Sequence, residues 1–285
     1  MDFAQIAVAV AIAVTALDAI SYAARGPSII RAIYRATPLG RRRRLYKELA
    51  KLAPGIQIGY VTEVLGEPAF RNSVGQYTEY VYAKPDCYVQ LLADDFESIV
   101  LYAVTGRNAN FHIPTWITHA RWSPRPQVAD SRLGKFTFNE VAGTDSPPQG
   151  ISGWLGARRF GYLEAFSYGN PGNYLTYLLG VNDAGWVWRK DLLGKMKAGF
   201  GDYMFGLGTM TLKKDHESSD VDADWDEMRS SIVLWLQRPE SVVWREIHPN
   251  TFAVAGPGFN VGEQARSGHL PVGPNADQVR LLPTD

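Results

Sequence analysis

Cysteine is nearly absent from this chain, with Cys87 the sole thiol in 285 residues. One thiol excludes an intrachain disulfide framework and any CxxC zinc or redox pair. Net charge is missing too, because 29 Lys and Arg balance 29 Asp and Glu. No bulk attraction to nucleic acid follows, and none is expected as a partner. The short catalytic signatures are also lacking. There is no GxxxxGK loop, and Gly150-Ile151-Ser152-Gly153 brings its last glycine one place too early for a nucleophile elbow. Gly206-Leu207-Gly208 and Gly256-Pro257-Gly258 want the third glycine of a dinucleotide fingerprint. Histidine is sparse, and no two of His112, His119, His216, His248 and His269 have zincin spacing. No cofactor and no catalytic residue are expected.

The composition is that of a folded protein, with a hydrophobic share of 46% and a charged share of 20%. The 8 Trp, 14 Tyr and 12 Phe suit β-rich packing or a recognition surface. An acidic stretch, Asp215 to Glu227, alternates aspartates as calcium loops do. Trp225 replaces the required glycine and Ser231 stands at the twelfth position, so it reads as a solvated loop feeding a helix. Cys87 follows Pro85-Asp86 with Lys84 as its neighbouring cation, and is expected to be a half-buried structural thiol.

Phe3 to Ala24 is apolar apart from Gln5 and Asp18 and contains neither Gly nor Pro. At about 1.5 Å per helical residue it spans a hydrocarbon core of about 30 Å, and Gly26-Pro27 ends it. No basic residue precedes it, whereas Arg25, Arg31, Arg35, Arg41, Arg42, Arg43, Arg44 and Lys47 follow. This order is the reverse of a cleaved signal peptide. By the positive-inside rule it predicts a single-pass span in the cell (inner) membrane, with the bulk of the chain cytoplasmic. The same arginines are expected to determine topology and to contact anionic lipid.

Thr37-Pro38 has the form of an N-cap and first-turn proline, opening a helix through Leu45, Leu49 and Leu52. A second short helix should carry Ile56, Tyr60, Val64 and Leu65. Three antiparallel strands are expected next, at Gln76–Ala83, Tyr88–Ala93 and Ser98–Thr105. Leu52-Ala53-Pro54-Gly55, then Val61, Val64-Leu65-Gly66-Glu67-Pro68 and Tyr80-Val81-Tyr82, with a strand ending at Val104, together resemble the SmpA/OmlA (BamE-like) module. The resemblance covers about 45–105 and implies a small scaffold of a bacterial envelope that binds proteins and has no catalytic residues. Members of that family are typically lipid-anchored and extracytoplasmic. This stretch lacks their lipobox cysteine, and its charge order points to the other side.

Farther along, the prolines and tryptophans of 108–148 suggest an ordered connector. Phe160–Tyr168 and Tyr174–Val181 form a hairpin about Gly169-Asn170-Pro171-Gly172-Asn173, and Asn182-Asp183-Ala184-Gly185 makes a turn. A helix is expected from Trp225 to Leu236, a strand from Val242 to Val254, and a short last strand at Gln278–Leu282. The run Tyr168 to Tyr174 and Asn250-Thr251-Phe252 resemble uncharacterised bacterial membrane-anchored proteins. That resemblance implies an address and no reaction.

The expected fold is α+β. It comprises a transmembrane anchor at 1–26, basic juxtamembrane helices at 27–53, a helix-helix-meander module at 54–106 and an aromatic-rich, antiparallel β-dominated region at 107–285. The expected function is that of a membrane-anchored accessory, scaffold or sensor binding membrane lipid and a protein partner. The alternative is a membrane-tethered hydrolase with its site in 154–208. The anchor is checked by fractionation. The full chain should stay in the membrane pellet through a carbonate wash, while a chain beginning at Leu39 should remain in the supernatant. Release of the full chain without detergent would sink the anchor.

Overall fold

The computed structural model describes residues 37–114, 132–142, 148, 150–155, 160–170, 173–187, 246–257, 259 and 272–282. The chain divides into two compact units, Met1–Glu48 and Leu49–Asp285. Helix α1, Pro38–Leu49, supplies the described part of the first. Its start is as expected, since the Thr37 hydroxyl accepts from the Gly40 N–H at 3.1 Å, a cap of about 1 kcal/mol.

The second unit opens with helix α2, Ile58–Leu65. Ile58, Val61 and Leu65 are buried, the i, i+3, i+7 stripe of a helix that packs on one side. Four strands follow: β1, Phe70–Val74; β2, Tyr77–Ala83; β3, Cys87–Ala93; and β4, Ile99–Gly106. Next come the short helix α3, Phe138–Ala142, and strands β5, Gly150–Leu155, β6, Phe160–Asn170, and β7, Asn173–Asn182. Strand β8, Thr251–Ala255, and helix α4, Ala276–Val279, complete the described elements.

All eight strands belong to one antiparallel sheet, ordered β1-β2-β3-β4-β8-β7-β6-β5. The α+β expectation, with a separate helix-helix-meander module followed by a distinct β region, is thereby overturned. The described residues are mainly β, and β8 joins the two halves of their sheet by pairing with β4 on one side and β7 on the other. The physical reason lies in β4. Its Ile99-Val100-Leu101-Tyr102-Ala103-Val104 run is buried on both faces, and a strand so apolar cannot end a sheet with its backbone edge in water. Among the described residues no helix is long and apolar enough to cross a membrane. The expected span at 1–26 lies outside the described residues, as does the expected helix from Trp225 to Leu236.

Three local corrections follow. A strand precedes the meander, for β1 pairs with β2 through the two-residue turn Gly75-Gln76. Gly150 to Leu155 is also a strand, the sheet's other edge. The last expected strand is instead α4, because the Asn275 side chain accepts from the Asp277 N–H at 3.0 Å and caps a helix there.

The pleat sorts the side chains into two faces. Tyr80, Tyr82, Leu91, Tyr102 and Phe252 share one face through the strand registers. There α2 lies on β2, with the Thr62 hydroxyl 3.3 Å from the Tyr82 hydroxyl. Tyr102 meets Phe252 edge-on, and Phe138 of α3 meets Tyr162 at 4.9 Å between centroids. The other face carries Asn72, Glu79, Gln90, Thr105 and Thr251, and is crossed by the segment Val272–Leu282. Asn72 donates to Gln278 at 3.0 Å, Gln90 accepts from the Gly273 N–H at 2.7 Å, and Asn182 donates to the Val272 carbonyl at 3.1 Å.

Where β4, β7 and β8 end together, those bonds become a knot. Asn250 accepts the Asn182 N–H at 2.8 Å and donates to the Asn182 carbonyl at 2.7 Å. Thr251 donates to Asn250 at 2.9 Å and lies 2.9 Å from the Thr105 hydroxyl. Two glycines make room for it. A Cβ on Gly185 would stand 2.6 Å from Thr105 and 2.8 Å from Asn250, and one on Gly273, whose φ is +82°, would stand 2.4 Å from Asn182.

Gly273→Ala therefore carries both the left-handed penalty of about 1–2 kcal/mol and an overpacking cost of about 1–3 kcal/mol. Gly55→Ala is the comparison, because Gly55 has φ +88° but nothing within 4 Å of its would-be Cβ. Urea titration of the detergent-solubilised chain should show Gly273→Ala to be the more destabilised by at least about 1 kcal/mol. Equal losses would mean that the knot is not tight.

Candidate functional site

Arg41, Arg42, Arg43 and Arg44 form one turn of α1. Arg41, Arg43 and Arg44 are exposed, whereas Arg42 is half-buried. Arg44 pairs with Glu48 at 2.9 Å, one turn on. Such a pair contributes about 0.3–0.5 kcal/mol. Leu39, at the start of the helix, is 69% exposed. Arg25, Arg31 and Arg35 lie outside the described residues.

A second feature was not foreseen from sequence. The β3–β4 turn presents Phe96 with 83% of its surface exposed. Asp94 fixes the turn by accepting from the Phe96 and Ser98 N–H groups at 3.0 and 2.9 Å, and Glu97 sits at φ 57°. The turn is tied to the start of α2, where the Ile58 N–H donates to the Glu97 carbonyl at 2.9 Å. Tyr60, in the first turn of that helix, is 44% exposed. Asp95, Glu97 and Glu63 are exposed alongside. Phe96 and Tyr60 are thus exposed aromatics, and Asp95, Glu97 and Glu63 exposed carboxylates, on a turn and a helix that a backbone hydrogen bond joins.

The polar groups buried in the sheet are engaged with one another. Glu79 accepts from Asn72 at 2.7 Å and from Gln90 at 2.5 Å. Glu164 accepts from the Tyr162 hydroxyl at 2.6 Å. His112 and His248 each bring Nδ1 within 2.9 Å of a backbone carbonyl, of Leu133 and Phe136 respectively. A carbonyl only accepts, so both Nδ1 atoms carry the proton. His119, His216 and His269 and the acidic run 215–227 fall outside the described residues. Among the described residues no three His, Cys, Asp or Glu side chains gather as a metal site requires. Of the stretch 154–208, the described part is β-sheet up to Asn182 and a turn after it, and 188–208 lies outside.

Cys87 is wholly buried rather than half-buried. Burial pushes its thiol well above the ordinary value, the Asp86 carboxylate adds to the rise, and Lys84 and Arg107 oppose it weakly. Lys84 faces away, donating to the Leu65 carbonyl at the end of α2. Arg107 stacks 4.8 Å over the Tyr88 ring. The thiol is packing.

Comparison of the chain with protein-family models, with curated proteins and with solved structures found no match.

The Cys87 thiol keeps its proton in the folded state above the pH at which an unfolded cysteine loses its own. Its contribution to stability is therefore complete below the unfolded pKa and declines as pH rises beyond it. Between pH 9 and pH 10 the wild type should lose about 1 kcal/mol more than Cys87→Ala, as read by urea titration at each pH. An identical loss in both proteins would show that the thiol ionises freely in the fold.

Proposed function

We propose that this protein is a membrane-anchored, non-enzymatic accessory or scaffold whose globular unit binds a partner protein through the β3–β4 turn and α2. The observation that carries the reading is Phe96, 83% exposed on a turn whose backbone is held by the Asp94 side chain and by α2. An isolated exposed Phe means little, but Phe96 with Tyr60 on a rigid support is the aromatic anchor that protein interfaces favour. The exposed carboxylates of Asp95, Glu97 and Glu63 select a partner whose apolar pocket is bordered by lysine or arginine. The apolar segment 3–24 and the arginines after it support the address. The resemblance of 45–105 to SmpA/OmlA scaffolds supports binding rather than catalysis.

The test is co-purification of the detergent-solubilised full chain, quantified by mass spectrometry against Phe96→Ser with Tyr60→Ser. Loss of two aromatic anchors at about 1.4 kcal/mol each predicts binding weakened about a hundredfold and a partner signal that falls accordingly. Both positions are exposed, so thermal stability should hardly change. The same co-purifying proteins at the same yield from the double variant would refute this surface as the binding site.

A further inference from the structure

We infer that helix α1 lies along an anionic lipid surface, with Leu39, Arg43 and Lys47 as the face that meets it. The inference rests on the membrane anchoring proposed above, and adds to it an orientation, a lipid class and a set of contacts. The three residues are spaced four apart, so on an α-helix they occupy an arc of about 80°. Leu39 is 69% exposed, Arg43 and Lys47 are exposed, and the Arg44 side chain on the flank of the stripe is 76% exposed. Leu45 and Leu49 are buried and fall away from the stripe, about 160° and about 120° respectively from its centre at Arg43.

The stripe carries one sign of charge. Glu48 is the helix's sole acid. It lies away from the stripe and is engaged with Arg44 at 2.9 Å. Arg43 and Lys47 have no ion-pair partner among the described residues. Their long side chains can extend towards phosphates while the aliphatic stems cover apolar ground. Leu39 adds what a purely electrostatic site would not need, an exposed apolar side chain at one end of a cationic face. Helices with that arrangement lie in the headgroup layer, the leucine dipping and the cations holding anionic headgroups. A nucleic-acid backbone would use the arginines and leave Leu39 in water, and so the lipid surface is the better match.

The experiment uses the full chain with Leu39→Cys labelled by an environment-sensitive dye. Cys87 is wholly buried, so the label goes to position 39 alone. The labelled chain is reconstituted into phosphatidylcholine vesicles, with or without one-quarter phosphatidylglycerol. A blue shift of the dye's emission is expected only in the anionic vesicles. It should reverse in about 1 M salt, where the screening length falls to about 3 Å. Each basic charge removed should lower the docked-to-free ratio about fivefold, and Arg43→Glu with Lys47→Glu should abolish the shift. A chain that floats with both vesicles and shows the same emission in each overturns this inference and leaves the anchor standing. A chain that floats with neither overturns both. Duplex DNA producing the shift in zwitterionic vesicles would assign the face to nucleic acid and overturn the lipid.

Discussion

The paired hydrogen bonds between Asn250 and the backbone of Asn182 join segments 68 residues apart in sequence. They set the register in which β8 enters the sheet, and β8 in turn connects one half of that sheet to the other. An asparagine side chain can mimic a peptide group, accepting and donating at once. Here it continues the ladder between β7 and β8 past the point where the strands part. Its oxygen also takes the Thr251 hydroxyl, and Thr251 sits beside Thr105 of β4. The amide thereby ties all three strands. Buried amides satisfied to this degree favour one arrangement, because any slip of register would strand several polar groups at about 1–3 kcal/mol each.

The same logic explains the segment that crosses the sheet. Asn72, Gln90 and Asn182 address its side chains or backbone, so the segment is positioned by polar contacts and then held by apolar ones. Val279 packs with Val81 and Tyr88, and Val272 joins the buried cluster of Leu92, Leu101 and Ala103. The sheet's interior is thus committed to holding itself together. Among the described residues, the exposed aromatic turn and the cationic stripe of α1 lie outside this network. Substitutions there should disturb binding and leave the fold alone.

Much of the local structure was legible in the residues. Thr37-Pro38 announced α1, whereas α2 was expected with its face misplaced: of Ile56, Tyr60, Val64 and Leu65 only Leu65 is buried, Ile58 and Val61 take the inner positions, and Tyr60 is exposed. The Tyr- and Val-rich runs and the turn residues Gly169-Asn170-Pro171-Gly172-Asn173 made β2, β3, β6 and β7 readable nearly to the residue. Strand β1 was missed because Phe70-Arg71-Asn72-Ser73-Val74 is an edge strand with polar residues at its centre, which leaves little apolar signal. Helix α4 was mistaken for a strand because four residues show no period, and the Asn275 cap decides the matter. The single sheet was not legible, since pairing of β4 with β8 is a tertiary event about 145 residues removed in sequence. The arginines of the collar were evident as a charge run. Phe96 was not, because an aromatic beside Asp94-Asp95 reads as core or surface with equal ease until the turn is seen.

Placing β8 in the middle of the sheet has a consequence for synthesis. When Gly106 has left the ribosome, β4 can already pair with β3, but its other neighbour, β8, is still unmade. Roughly 145 residues must follow before Thr251 appears, which at about 5–20 residues per second takes roughly 7–30 s. For that interval a mostly apolar strand has an open edge, and a nascent chain in that condition can pair with the wrong neighbour. Anything that occupies β4 transiently, such as a chaperone or another part of the same chain, would shape the yield of folded protein as strongly as any contact in the finished sheet.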